Sequence, residues 1–229
     1  TSCKNESTLW VKPSGTTLSG LKPESFVAMD RAMLSRLYAA RPPEAAAERE
    51  EMVKTMMADA VKPETAGRAS VEAPLHDSIS ARYVVHTHPA EVNGLTCAVG
   101  GQEAAARLLP DALWVPYVDP GYTLCMVVRE AIVAYKAERR VEPAVILLEN
   151  HGVFVAGDTP EEIRATYAGI MSVLRAAYKA AGVGVGDVVC ADAPTDAEVA
   201  VWKRIMADAF GEEAAFVAVS GRFDIGCGP

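Results

Sequence analysis

The run from Ala144 to Glu149, apolar up to its last residue, has the length of a strand and passes straight into Asn150-His151-Gly152, after which Val153–Ala156 reads as its hairpin partner. A chain with such a pair needs a sheet and something to cover it. Helical apolar spacing supplies the cover at about Glu44–Val61, Gln102–Leu109, Tyr122–Glu138, Pro160–Ala181 and Thr195–Phe210. Further strands are expected at Leu9–Val11, at Leu113–Val118, and at Arg82–Pro89, where a β-branched and aromatic run is ended by proline. A helix is expected from Pro23, with Phe26, Val27, Met33, Leu34 and Leu37 on one stripe, until Arg41-Pro42-Pro43 breaks it. A short helix near Val71 carries Glu72 and His76, the rest of residues 1–20 reads as turns, and Gly182–Gly186 reads as a flexible joint. Short turns and helical excursions both connect strands, so the fold class is α/β or α+β: a central sheet flanked by helices, as one domain over residues 1–229.

Composition removes several functions. The 229 residues are half hydrophobic and 23% charged, ordinary for a globular domain, and hold no run of about eighteen apolar residues that would cross a membrane. Lys and Arg total 22 against 30 Asp and Glu, a formal charge of −8 without any basic block, which argues against a nucleic-acid partner. A small anion stays open, because a local pocket of backbone N–H groups can override net charge. The charges at Glu48–Glu51 read as a solvated helix face. Cys3, Cys97, Cys125, Cys190 and Cys227 form an odd, widely spaced set without a C-x-x-C pair, as expected of reduced thiols in a cytoplasmic protein. No signal peptide is visible, although the chain begins at Thr1 without a Met.

Four histidines occur, His76, His86, His88 and His151, all in the central third of the chain. His86 and His88 stand two apart on a strand, so both imidazoles project from one face. His151 ends another strand and is followed by Gly152, which permits tight backbone geometry. Three neutral imidazoles with an open fourth position suit a catalytic Zn²⁺; three histidines satisfied by ordinary hydrogen bonds are the competing reading of the same residues. Glu72 supplies a carboxylate upstream, with His76 four residues on as a structural partner of helix or sheet. Lys12-Pro13-Ser14-Gly15-Thr16 is either a plain turn or an anion cradle of hydroxyls and N–H groups, with Ser70 as a further hydroxyl.

Lys12-Pro-Ser-Gly-Thr16, Ser70-Val-Glu72 with His76, His86-Thr-His-Pro89, Pro116-Tyr-Val-Asp-Pro-Gly121 and Glu149-Asn-His-Gly152 follow one another in the order and spacing of the class II aldolase/adducin family. The chain resembles that family over roughly residues 1–180, most specifically in H-x-H-P and N-H-G. Its start, Thr1-Ser-Cys-Lys4, resembles the tail of the family's phosphate loop, so that part of the loop would lie upstream. The resemblance implies a three-layer α/β/α sandwich around a mostly antiparallel sheet, commonly as a homotetramer with active sites between subunits. It implies His86, His88 and His151 as ligands of Zn²⁺, or of Mn²⁺ or Co²⁺, and Glu72 as the catalytic acid/base that can also touch the metal. Ser14, Gly15 and Ser70 match positions that hold a substrate phosphate. The implied activity is a carbon–carbon lyase of carbohydrate metabolism, cleaving a small hydroxy-keto compound such as a sugar phosphate through a metal-stabilised enediolate. Epimerase or dehydratase chemistry on the same platform, or a non-catalytic scaffold like the adducin head, are the alternatives. Cleavage also calls for a second proton-handling group beside Glu72, a role for Tyr117 or Tyr122 of this chain or of a neighbouring subunit. One position departs from the pattern: where sugar-phosphate aldolases tend to carry a second serine, this chain has Val71, which removes a hydroxyl and admits a keto acid or another anion.

Overall fold

A computed structural model describes residues 1–65 and 67–184. The helix expected over residues 195–210 lies outside them. Seven strands, β1 (Ser2–Lys4), β2 (Thr8–Val11), β3 (Val27–Asp30), β4 (Tyr83–Thr87), β5 (Leu113–Val115), β6 (Val145–Leu148) and β7 (Gly152–Gly157), form one sheet in the order β3-β2-β1-β4-β7-β6-β5. Every neighbouring pair is antiparallel except β5 and β6, so the sheet is mostly antiparallel. Among the described residues, seven α-helices accompany it: α1 (Arg31–Ala39), α2 (Ala46–Asp59), α3 (Ala73–Ser78), α4 (Ala90–Thr96), α5 (Gly101–Leu108), α6 (Tyr122–Arg139) and α7 (Pro160–Ala180).

Strand alternation sorts the helices into two layers. Val84, Ile146, Leu148, Phe154 and Ala156 point to one face, where Leu75 of α3 and Leu124, Val128 and Ile132 of α6 cover them. Their immediate neighbours Val85, Leu147, Val153 and Val155 point to the other, under Val92 and Leu95 of α4, Ala105 of α5 and Ile163, Ile170 and Leu174 of α7. Both faces of β6 and β7 are therefore buried, which is why the Ala144–Glu149 run is apolar without alternation. A third cluster packs Leu9, Val11, Val27 and Met29 of β2 and β3 against Leu34 and Leu37 of α1 and Val53 and Met57 of α2.

The expected helix from Pro23 is divided. Pro23–Ser25 forms a single 3-10 turn, Val27–Asp30 pairs with β2 as an edge strand, and only Arg31–Ala39 is α-helical. Val27 and Met29 bury on one side of β3, and Asp30 closes the strand by accepting a hydrogen bond from the Met33 N–H at 3.0 Å, a helix N-cap. Residues 2–4, expected as turn, instead fill the sheet between β2 and β4. Among the described residues, no helix is long and apolar enough to cross a membrane.

Candidate metal centre

Antiparallel pairing of β4 with β7 places His86 opposite Phe154 and Thr87 opposite Val153. The His86 ring stacks on Phe154 at 4.0 Å between centroids, and its Nδ1 lies 3.0 Å from the Val153 carbonyl oxygen. A carbonyl only accepts, so Nδ1 carries the proton and Nε2 is left with its lone pair. His88 follows β4 on the same side, its ring 4.6 Å from that of His86. His151 arrives from the three-residue turn between β6 and β7, in which Asn150 takes a positive φ of 55° and donates its N–H to the Thr96 carbonyl at 3.0 Å. Its ring lies 4.9 Å from His86 and 5.0 Å from His88. Gly152 is required here: a Cβ would fall 2.6 Å from the Thr87 carbonyl oxygen and into the His88 ring.

Glu72 comes from a different element. It caps α3, with its N–H held by Ser70 Oγ at 3.3 Å, and its Oε1 lies 3.3 Å from His86 Nε2 and 3.4 Å from His151 Nε2. The two Nε2 atoms are themselves 3.3 Å apart. Three electron-pair donors so close repel unless a proton or a cation sits among them. Donors about 2.0–2.1 Å from a shared tetrahedral ion would be separated by about 3.3–3.4 Å, so the set fits a divalent metal. The ligand atoms of His86, His88 and His151 all lie within 4.8 Å of one another.

Electrostatics agree with that fit. Burial, then the neighbouring His86 and His151, lowers the pKa of His88 and keeps it in the neutral form that binds metals. Burial would raise the pKa of Glu72, but the imidazoles of His151 and His86 beside it outweigh that and hold the carboxyl well below the usual carboxylate range.

A cavity of about 500 Å³ adjoins the centre. Glu72, His86 and His88 line it, and so do Lys12, Ser14, Gly15 and Ser70, so the expected anion cradle and the expected metal ligands share one space. Lys12 Nζ is pinned by the Thr16 and Pro13 carbonyls at 2.6 and 3.1 Å, and Arg68 donates to Ser14 Oγ at 3.2 Å. Val71 is 60% exposed and lines a different cavity, of about 590 Å³, together with Val53, Met57 and Tyr122. Tyr117 is not brought in: it is exposed and its hydroxyl donates to Asp119 Oδ1 at 2.9 Å. Tyr122 is buried in the cluster with α1 and α2. Phe154 and the Val153 carbonyl escaped the sequence reading, though laying the H-x-H strand against the following hairpin would have found them.

The family model described as class II aldolase and adducin N-terminal domain matches residues 1–178. The chain is 30% identical over 161 residues to the Bacillus subtilis (strain 168) protein named uncharacterized oxidoreductase YuxG, a match covering 67% of this chain and 21% of that one. It thus spans about a fifth of that relative's length. Among solved structures, the N-terminal class II aldolase domain of a conserved Thermoplasma acidophilum protein superposes with a TM-score of 0.61 at 23% identity, covering 74% of each chain. An aldolase II superfamily protein from Pseudomonas syringae gives 0.52 at 14% identity, covering 90% of this chain and 81% of that one. At such identities these likenesses speak for the fold.

Proposed function

The chain belongs to the class II aldolase and adducin N-terminal domain family, and from that membership we propose that it is a metal-dependent carbon–carbon lyase acting on a small hydroxy-keto compound with an anionic tail, of the sugar-phosphate kind. The observation that carries the reading is the shared cavity: His86 and His88, two of the three convergent imidazoles, and the Glu72 carboxylate stand on the same walls as a lysine, two serines and a glycine turn. His86, His88 and His151 would hold the ion, zinc being favoured by an all-imidazole set. A divalent ion there supplies Lewis-acid polarisation of the substrate carbonyl and stabilises the charge that develops on its oxygen.

The chain's own residues handle the anion and the protons. Lys12 and the hydroxyls of Ser14 and Ser70 receive the anionic tail, which fixes how far the reacting carbons reach toward Glu72. Aldol cleavage removes a proton from a hydroxyl and returns one to carbon, so it needs two proton-handling groups. Glu72, held as a carboxylate by its imidazole neighbours, is one. We assign the other to Tyr117, whose exposure outside its own chain's cavity suits service to a neighbouring subunit of a homotetramer.

Elemental analysis of protein purified without added metal or chelator tests the centre: about one divalent ion per chain is expected, and loss of most of it in His86→Ala. Keto-sugar phosphates then test the reaction, with epimerisation and dehydration as the competing products. A wild-type protein that stays metal-free in zinc, cobalt and manganese would end the enzyme reading and favour an adducin-like scaffold.

A further inference from the structure

His76 is the histidine that the metal centre leaves out. It sits on α3 four residues after Glu72, is 1% exposed, and lines the same cavity. Its Nδ1 lies 2.9 Å from Ser2 Oγ, and its ring stands edge-on to Phe154 at 5.3 Å. The backbone is tied at both ends: its N–H donates to the Glu72 carbonyl at 3.1 Å, and its own carbonyl accepts from Lys4 Nζ at 2.6 Å. The first of these backbone bonds belongs to the helix; the ties to Ser2 and Lys4 come from outside it and are more than core packing alone asks for.

Among the described residues, no hydrogen bond reaches His76 Nε2. That nitrogen is nevertheless not sealed; the sealed, partnerless side-chain atoms are Arg49 Nε, Asn93 Oδ1, Thr96 Oγ1 and Trp114 Nε1. Buried polar groups are nearly always hydrogen-bonded, so the partner of this one has to come from the cavity. We propose that His76 is a substrate-binding residue: the Ser2 hydroxyl donates to its Nδ1, and its Nε2–H donates to a substrate hydroxyl or carbonyl oxygen beside Glu72. The neighbouring carboxylate favours the tautomer with the proton on the cavity side. The oxygen it would hold belongs to the part of the substrate that Glu72 addresses, so this inference rests on the metal-dependent lyase reading.

The test is a long-range proton–nitrogen spectrum of histidine-labelled, zinc-loaded wild-type protein, recorded without and with glycolohydroxamate, a small chelator carrying a carbonyl and hydroxyls. His76 is assigned from the signal lost in His76→Gln, or from its contact with the Phe154 ring if that variant does not fold. The expected result is an Nε2-protonated ring whose N–H moves when the hydroxamate is added. Hydroxamate affinity should fall about tenfold in His76→Phe at unchanged zinc content, with partial recovery in His76→Gln, whose amide can donate. A proton on Nδ1, a His76 signal that stays still while those of His86, His88 and His151 move, or wild-type affinity in His76→Phe overturns the proposal. If zinc itself leaves the His86, His88 and His151 signals unmoved, the metal-centre reading fails separately, and the His76 tautomer in the metal-free protein still decides this one.

Discussion

Gly152 shows how little slack the centre has. A methyl group there meets the Thr87 carbonyl and the His88 ring at once, so one of them must move. Gly152→Ala is expected to fold, because the clash is local, but to bind zinc some 10–100-fold more weakly, as supporting-residue changes around metals usually do. A competitive zinc titration checks this, and wild-type affinity would mean that His88 is not a ligand. Glu72 makes the opposite prediction. Glu72→Gln keeps the shape and leaves the three imidazoles in place, so zinc content should stay while turnover falls by about 10²–10⁴-fold, the usual worth of a positioned proton-transfer group. Retained turnover in Glu72→Gln would remove the carboxylate from the proton-handling role.

At the scale of elements, what the sequence displayed depended on which interaction decided each segment. β4, β6, β7 and the long helices α6 and α7 were legible because their period and their boundaries agree: Pro89 ends one, and Thr159-Pro160 with Glu161 and Glu162 starts another. Residues 23–39 were misread as one helix because Phe26, Val27, Met33, Leu34 and Leu37 happen to fall on a helical stripe, whereas Val27 and Met29 are held as strand by pairing with β2. No local pattern announces that pairing. β1 has only three residues and takes its identity from neighbours on both sides. Asp30, at the junction, is where the local signal was overlooked. Asp30→Ala removes the cap of α1 and should lower unfolding stability by about 1 kcal/mol, read as a shifted urea midpoint at unchanged slope. An unchanged midpoint would show that packing of Leu34 and Leu37, and not the cap, sets where the helix begins. The residues that the structure gathers around Glu72 and His86 were visible by type. Histidines, a carboxylate and a Ser-Gly turn declare their chemistry by type, but the Val153 carbonyl and the Phe154 ring contribute through backbone and register, which residue type does not reveal.

For the whole molecule, the centre acts as a clasp across the sheet. Its histidines come from the middle strand β4 and the turn leading into its neighbour β7, and its carboxylate from a helix of the overlying layer. An ion bound there is bound by the folded state alone, so zinc at a hundredfold excess over its Kd should add about 2.7 kcal/mol of stability. For a domain of this size that is roughly a 5–10 °C rise in melting temperature. The rise should vanish in His151→Ala, and a rise that survives there would place zinc elsewhere.

The strand order also carries a clock. β4 and β7 lie side by side, yet α4, α5, β5, α6 and β6 separate them along the chain. A ribosome delivers His86 and His88 long before His151, and the slow, non-local closure of β7 onto β4 can be completed only once Gly157 has emerged. Until His151 itself emerges, the growing chain offers an ion two imidazoles at most from this centre. On the metal-dependent reading, the three-imidazole set would therefore come together only when β7 closes onto β4, after the whole excursion from α4 to β6 has been made.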